Sequence, residues 1–438
     1  MPSSINEPGA AGASGAVAGQ HLVDHRRLGR DLELFTTSEL VGAGLPLWLP
    51  KGSAVRDALA TYIIDVERRA GYAHVHTPAL ARPELYQRSG HLAHYRDDMF
   101  APVGSGNEEL VLRPMSCPHH ALVFAARGRS WRELPLRIAE LATLYRDERS
   151  GVVGGLSRVR AMTLNDGHIF CAPEQLSDEI AAAVDLIENA YAVLGITEYG
   201  YRLSLRGEGG KYVPDDSMWE RAESQLREVL DRRGATYEQA QREAAFYGPK
   251  LDVQVQDHRG REETLSTVQV DFHLPVALGL HYAGRDGVAA TPVVVHRGVV
   301  STMERMVAHL IEIHAGAFPV WLAPVQVAVL PVAEEHDRYA RGVARHLLSA
   351  GLRAEVDAGE RTVAARVRTA VASKVPYVAV VGDRETRDGL FGLRLRDGRR
   401  WGPSDVSALT ALVARVAGDR SAGLLPGEVS ASARVVKR

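Results

Sequence analysis

The hydrophobic pattern of this 438-residue chain changes at FPVWLAP (318–324), where two prolines interrupt the periodicity. Beyond this point strand-like and helix-like segments alternate, which predicts a small α/β domain with a mostly parallel sheet. Before it, grouped strand-like segments are interrupted by long helices, which is typical of an α+β domain with an antiparallel sheet. We therefore predict two domains, at 21–320 and 321–420.

The two ends of the chain have a different composition. Residues 1–20 are rich in Gly, Ala and Ser and predict a disordered tail, and residues 421–438 predict a flexible one. The first residues lack the basic and apolar regions of a signal peptide, and the longest apolar stretches are too short to span a bilayer. Two cysteines exclude a disulfide scaffold. We expect a cytoplasmic protein with no membrane partner.

An arginine-rich segment at 134–170 surrounds the Gly-containing loop RDERSGVVGG. Guanidinium groups pair with phosphate oxygens in a bidentate manner, so two strands joined by such a loop could hold a polyphosphate. The alternative is a solvated hairpin in a chain where only five of 52 cationic residues are lysine. Neither a Walker loop nor a GxGxxG motif is present, which excludes the common nucleotide-binding folds. The arginines concerned are Arg137, Arg146, Arg149, Arg158 and Arg160.

Cysteine and histidine supply a second candidate site. Cys117, His168 and His296 form an acceptable set for a catalytic zinc with an open position. Their spacing does not single them out among 17 histidines, so a buried thiol and unrelated imidazoles remain the alternative. Lys250, in AAFYGPKLDVQVQD, lies where a turn enters a strand. It could meet a carboxylate or phosphate there, or lie in water.

The segment 296–316 predicts the end of a strand followed by a helix. Ser301 and Glu304 match a capping box, which would satisfy the first amide groups of that helix. Arg305 is a cation in the first turn, where it opposes the helix dipole. Such a placement is reasonable if an anion lies there.

Taken together, eight segments in this order resemble the threonyl-tRNA synthetases, which are class II aminoacyl-tRNA synthetases. The resemblance implies an antiparallel-sheet catalytic domain followed by an α/β anticodon-binding domain, and it implies ATP with Mg²⁺, L-threonine and tRNA(Thr) as partners. The segments are ARPELYQRSGH (81–91), RPMSCPHH (113–120), YRDERSG (145–151), RVRAMTLNDGHIF (158–170), FYGPK (246–250), TVQVDFHLP (267–275), HRGVVSTMERM (296–306) and FPVWLAPVQV (318–327).

The resemblance also implies roles for the cations. Arg146 would grip the ATP α-phosphate and the amino-acid carboxylate, and Glu148 would hold adenine. The segments YRDE and RVR resemble class II motif 2, so Arg158 would contact ATP. The MER segment resembles motif 3, so Arg305 would bind the γ-phosphate, and this phosphate would be the anion that the helix position of Arg305 requires. Lys250 matches a position in the amino-acid site, and our hypothesis is that it neutralises the adenylate phosphate.

The metal and amino-acid sites follow from the same resemblance. Cys117, His168 and His296 match three ligands of one zinc ion per subunit. Motif 1, around the helix and strand of residues 51–80 with Pro78, implies a homodimer. Arg368 matches a tRNA-contacting position of the anticodon-binding domain. The amino-acid site would comprise Met115, Asp166, Tyr247 and Gln269, with Asp166 taking the substrate hydroxyl.

The chain also departs from the family pattern, at the segment 361–368 and at five single positions. We expect threonine activation and transfer to tRNA(Thr), and these departures motivate the alternatives. The chain could pass the adenylate to a non-tRNA acceptor, serve as an inhibitor-resistant second synthetase, or act as a non-catalytic tRNA-binding regulator. The single positions are Ser116, His119, Leu164, Thr264 and Ser301.

The resemblance begins near residue 24, so we expect the chain to lack the N-terminal editing region of this family. Serine differs from threonine by one methyl group, which a binding site discriminates by only about 1–3 kcal/mol. Mischarged Ser-tRNA(Thr) is therefore expected to persist.

Overall fold

The structure is a computed structural model that describes residues 23–106, 108–209, 212–428 and 436–437. The predicted tail at 1–20 lies outside these residues. None of the described helices is both long and apolar enough to cross a membrane.

The first domain contains nine helices and fifteen strands within the described residues. Their order is α1 (His25–Asp31), β1 (Phe35–Thr36), β2 (Leu47–Trp48), α2 (Pro50–Arg69), β3 (Ala73–His74), β4 (Leu80–Ala81), α3 (Pro83–Arg88), α4 (His91–His94), β5 (Val103–Ser105), β6 (Glu108–Leu112), α5 (Cys117–Ala125), β7 (Leu136–Tyr145), β8 (Ala161–Cys171), α6 (Leu176–Leu194), β9 (Glu198–Leu205), α7 (Asp216–Arg232), β10 (Tyr237–Gln241), β11 (Lys250–Gln256), β12 (Glu262–Asp271), α8 (His273–Ala277), β13 (Tyr282–Ala283), β14 (Ala289–Ala290), β15 (Val293–Thr302) and α9 (Met303–Ile313).

One large sheet organises this domain, in the strand order β10-β9-β11-β12-β15-β8-β7-β3. Along this order the five pairs from β9 to β7 are antiparallel, and the end pairs β10–β9 and β7–β3 are parallel. The prediction of an α+β domain around an antiparallel sheet is therefore confirmed.

The two faces of the sheet have different roles because alternate residues of a strand point to opposite sides. On β8, Ile169 and Cys171 join the main core formed with α2, α6 and α9, whereas Phe170 packs with α5 on the other face. On β15, Val293 and Val295 likewise join the main core, and Val294 packs with α5. Leu164, Asp166 and His168 thus share the face that carries α5, and the helices cover the opposite face.

The second domain contains β16 (Val327–Pro331), α10 (Asp337–Ser349), β17 (Ala354–Val356), α11 (Val363–Ala372), β18 (Tyr377–Val381), α12 (Asp383–Asp388), β19 (Phe391–Leu395), β20 (Arg400–Ser404) and α13 (Val406–Gly418). Its five strands form one sheet in the order β17-β16-β18-β19-β20. The pairs around β16 are parallel, but β18–β19 and β19–β20 are antiparallel. The prediction of a mostly parallel sheet is therefore wrong for this half of the sheet.

The segment after α13 is packed against this domain as far as residue 428. Leu424 is buried, and its carbonyl accepts a hydrogen bond of 2.6 Å from the Tyr377 hydroxyl. Glu428 pairs with Arg399, and beyond it β21 (Val436–Lys437) pairs with β9 in parallel. Residues 421–428 thus contact the second domain through an apolar anchor and an ion pair, and the flexible tail at 421–438 stays a prediction.

Candidate active site

Four predicted site residues lie in one row across the sheet. Lys250 on β11 is the register partner of Gln269 on β12, and Gln269 is the partner of His296 on β15. His296 in turn faces His168 on β8. Since partners in adjacent strands lie side by side on the same face, the register brings together residues that are far apart in sequence.

Cys117 reaches this row from the first turn of α5. One ligand atom each from Cys117, His168 and His296 lies within 4.8 Å of the others, and all three residues are buried. The rings of His168 and His296 meet edge to face, with centroids 4.6 Å apart. The structure thus brings the three predicted metal ligands together.

The electrostatics of this cluster favour a cation. Burial lowers the pKa of His168 well below its usual range, and the neighbouring His296 and His120 lower it further. The imidazole is therefore neutral, which is the form that binds a metal. Burial and the carboxylates of Asp166 and Asp271 raise the pKa of the Cys117 thiol well above its usual range. A divalent cation reverses this effect, because a coordinated thiol is deprotonated. The donor set therefore fits zinc.

The predicted amino-acid-binding residues surround this cluster. Asp166 lies two residues before His168 on the same face of β8, and the Ser116 hydroxyl donates a short hydrogen bond to its Oδ2. The Tyr247 ring stacks on His296 with centroids 4.8 Å apart, and its hydroxyl donates to the Gln269 side chain at 2.5 Å. Met115, half-buried, precedes α5 and packs beside its apolar face.

Lys250 is paired in this structure. Its Nζ lies 2.7 Å from Oδ2 of Asp252, which is buried and also accepts a hydrogen bond of 2.8 Å from Ser204. Lys250 is only partly exposed and lies at the end of the site row. Lys250 therefore lies at the predicted site, and the carboxylate of Asp252 balances part of its positive charge.

The predicted ATP-binding residues converge beside the row. Arg158 donates to Glu148 at 2.7 and 2.9 Å, and Nε of Arg146 is buried with no hydrogen-bond partner among the described residues. Arg305 donates to two backbone carbonyls, those of Ser157 and Thr264, at 3.0 Å each. Burial lowers the pKa of Arg305, and the nearby Arg146 and Arg158 lower it further, although Glu263 raises it. Three guanidinium groups this close together suit a polyanion.

One arginine of the 134–170 segment lies elsewhere. Arg137, near the start of β7, makes a bidentate pair with Glu179 of α6 at 2.6 and 2.7 Å. This ion pair uses its guanidinium for helix packing, so the grouping of Arg137 with the polyphosphate site is wrong.

Ser301 is not the cap of α9. Thr302 occupies the N-cap, where its hydroxyl accepts a hydrogen bond of 3.0 Å from the Arg305 amide. Ser301 instead has a φ of +57°, in the left-handed region, beside an irregularity in the β15–β8 register between Gly298 and Thr302. The predicted Ser301–Glu304 capping box is wrong because Thr302, one residue later, occupies the N-cap and its hydroxyl makes the capping hydrogen bond.

Replacing Ser301 with glycine is expected to raise the free energy of unfolding by about 1 kcal/mol. The left-handed conformation costs a non-glycine residue of order 1–3 kcal/mol, and the greater entropy of unfolded glycine offsets about 0.5–1 kcal/mol of the gain. Guanidinium denaturation measures the change. Ser301→Ala keeps the Cβ atom and serves as the control, so an equal gain in that variant would contradict the argument.

Two buried residues that the sequence analysis did not assign also contact the cluster. His91, at the start of α4, places Nε2 3.2 Å from Cys117 Sγ, and burial lowers its pKa to about 4. Asp271 Oδ2 lies 2.9 Å from Nε2 of His296. Asp271 could have been found from the period-two pattern of β12, because it follows Gln269 by two residues. His91 carried no such signal except its place in the motif ARPELYQRSGH.

The predicted tRNA contact lies in the second domain. Arg368 is exposed on α11. The neighbouring Arg366 is buried and donates to the backbone carbonyls of Pro331, Asp357 and Arg361. Only Arg368 of this pair is therefore placed to meet a partner.

Comparison with known proteins matches both domains. Residues 102–314 match the tRNA synthetase class II core domain (G, H, P, S and T), and residues 326–414 match an anticodon binding domain. The chain is 53% identical over 394 residues to a threonine–tRNA ligase of Geobacillus kaustophilus, covering 89% of this chain and 60% of that protein. It is 51% identical over 403 residues to one of Listeria monocytogenes, covering 91% and 62%.

A solved structure agrees with these matches. It is the RNA binding domain of threonyl-tRNA synthetase from Cryptosporidium parvum, with a TM-score of 0.84 and 33% identity, covering 90% of this chain and 98% of that one. The chain spans about three fifths of the length of the curated bacterial relatives that it matches.

Proposed function

Because the chain belongs to the threonyl-tRNA synthetase family of class II aminoacyl-tRNA synthetases, we propose that it activates L-threonine with ATP and transfers the threonyl group to tRNA(Thr). The observation that carries the proposal is the meeting of Cys117, His168 and His296 within 4.8 Å beside Asp166. These residues would hold one zinc ion. When bound, zinc would act as a Lewis acid that binds the amino and hydroxyl groups of threonine.

Several side chains of the site each have a role in adenylate formation. A threonine carboxylate oxygen attacks the α-phosphorus of ATP, and pyrophosphate leaves with the electron pair of the broken P–O bond. Arg146 and Arg305 hold the phosphates, where their fixed positive charge offsets the charge that develops in the transition state. Glu148 and Arg158 bind the nucleotide, Lys250 faces the adenylate phosphate, and Mg²⁺ arrives with ATP as part of the substrate. A 3′-terminal hydroxyl of tRNA then takes the threonyl group and releases AMP.

Asp166 supplies the discrimination against valine. Its carboxylate accepts a hydrogen bond from the substrate hydroxyl. Met115, Tyr247 and Gln269 line the same pocket. Valine lacks that hydroxyl and leaves a buried polar group unpaired, which rejects it by about 10⁴-fold. Serine keeps the hydroxyl and is rejected by only about 10–200-fold.

The test measures ATP–pyrophosphate exchange with threonine, serine and valine, followed by charging of a tRNA(Thr) transcript. We expect exchange in the order threonine, serine, valine, and charging with threonine. Normal exchange without charging would show that an acceptor other than tRNA(Thr) takes the threonyl group. Binding of tRNA without any exchange would leave only a regulatory role.

Replacing Ser116 with alanine is expected to lower kcat/KM for threonine about tenfold. Ser116 is fully buried and donates to the Asp166 carboxylate, and a hydrogen bond to a charged group contributes about 1.5–3 kcal/mol. Threonine-dependent exchange measures the change. Ser116→Asn retains a donor and should keep most of the activity, so an unchanged kcat/KM in Ser116→Ala would contradict the role.

The second domain contributes tRNA recognition to this proposal. Arg368 on the exposed face of α11 would contact the anticodon region of tRNA(Thr). Arg368→Ala should therefore raise KM for tRNA and leave threonine exchange unchanged.

We also propose that the protein works as a cytoplasmic homodimer. Three apolar side chains are exposed just before α2, namely Leu40, Val41 and Leu47, and Leu40 is 99% exposed. Exposed apolar patches mark interaction sites, and this one adjoins motif 1. Sedimentation at the concentration of the exchange assay tests the oligomer, which should have twice the mass of one chain.

A further inference from the structure

A chain of buried hydrogen bonds leads away from the metal cluster through His168. Nδ1 of His168 lies 2.8 Å from Nδ1 of His120 on α5, and Nε2 of His120 lies 3.1 Å from Oε2 of Glu140 on β7. All three residues are buried, with 1%, 0% and 3% of their surface exposed respectively. Neither His120 nor Glu140 is among the three predicted ligands.

Glu140, at the far end of this series of hydrogen bonds, is held rigidly. Glu140 accepts hydrogen bonds from the Thr77 amide at 3.0 Å, from the Thr77 hydroxyl at 2.7 Å and from Nη2 of Arg113 at 3.2 Å. Burial raises the pKa of Glu140, but the hydrogen bonds from His120, Thr77 and Arg113 outweigh it and lower the pKa to about 2. Glu140 is therefore an ionised carboxylate, which can only accept hydrogen bonds.

This acceptor fixes the N–H of His120 on Nε2, and the tautomers of both imidazoles follow when each ring carries one N–H. Nε2 of His120 donates to Glu140, so a His120 ring that carries a single N–H presents a lone pair on Nδ1. That lone pair accepts from Nδ1 of His168, which must carry its proton there. The remaining nitrogen of His168, Nε2, is left with a free lone pair, and it lies 4.0 Å from Oδ1 of Asp166 on the cluster side.

We propose that the Glu140–His120 pair is a positioning device that fixes His168 in the tautomer and ring orientation required of a metal ligand. The proposal rests on the zinc centre proposed above and extends it to two residues of its surroundings. Hydrogen-bonded partners of ligating histidines orient the ring and raise its basicity, and their loss typically weakens metal binding by about 10–100-fold.

The experiment measures the affinity of the full chain for Co²⁺, whose thiolate absorption band reports binding at Cys117, by competition with a chelator. His120→Phe removes both nitrogens but keeps a ring, and we expect about 10–100-fold weaker binding. His120→Asn retains an acceptor for His168 and should recover part of the affinity. His119→Phe is the matched control, because His119 is the adjacent buried histidine of α5 and takes no part in the hydrogen bonds between His168, His120 and Glu140.

Unchanged Co²⁺ affinity in His120→Phe, or an equal loss in His119→Phe, would overturn the positioning role. Absence of Co²⁺ and Zn²⁺ binding by the unmodified protein would instead overturn the metal centre itself and the inference with it. Should His120→Phe fail to fold, ¹⁵N-histidine spectra of the unmodified protein decide the matter. They should show the His168 proton on Nδ1, and a proton on Nε2 would refute the proposal.

Discussion

Alanine in place of Cys117 is expected to lower threonine-dependent ATP–pyrophosphate exchange by at least about 10³-fold, since the metal contribution amounts to several kcal/mol and each 1.4 kcal/mol is tenfold. Cys117 is the only sulfur in the ligand cluster, and two histidines alone hold zinc too weakly for a three-ligand site. The loss should appear together with loss of bound zinc, measured by elemental analysis of the purified protein.

Cys171 provides the control for this variant. It is the other cysteine of the chain, it is equally buried, and its side chain points from β8 into the helix-covered core. Cys171→Ala should lose some stability but keep its zinc and its exchange activity. A Cys117→Ala protein that folds, lacks zinc and still exchanges at the normal rate would show that the metal has no part in threonine activation.

Alanine in place of Arg146 is expected to lower exchange by about 10²–10³-fold, the usual effect of removing one donor that faces developing charge. The loss should fall mainly on kcat, because the α-phosphate gains its additional charge only in the transition state. The buried, unpartnered Nε of Arg146 supports this role, since a buried donor without a protein partner is available to a ligand. Steady-state exchange over a range of ATP concentrations measures both constants.

Arg149 is the matched control, because it belongs to the same motif and is exposed. Arg149→Ala should keep kcat close to that of the unmodified protein. Equal losses in the two variants would indicate a general effect of positive charge near the loop and would remove the specific role of Arg146.

The architecture of both domains could be predicted from periodicity, because buried strands and amphipathic helices leave separate patterns. The antiparallel pairing of β18, β19 and β20 could not be predicted, since LFGLRLRDG and the residues after it carry no signal of strand direction. The packing of Leu424 was missed for a related reason. One apolar anchor in a polar segment does not produce a periodic pattern.

The candidate site was predictable only through the motif resemblance. Cys117, His168 and His296 are separated by 51 and 128 residues, and strand register brings them together. The hydrogen-bond chain through His120 and Glu140 was not predictable, because it depends on how α5 packs against β7. The capping assignment failed at Ser301 because adjacent Ser and Thr are equivalent cap candidates until the backbone is known.

The row from Lys250 to His168 has a consequence for folding. Each strand contributes one side chain to the row, and a slip of β15 by one residue would bring Val295 or Arg297 to the metal and bury His296 among the helices. A bound ion would therefore favour one alignment of β8 against β15, with α5 above them, over every shifted one. Zinc would therefore stabilise the correct strand register in addition to binding the substrate.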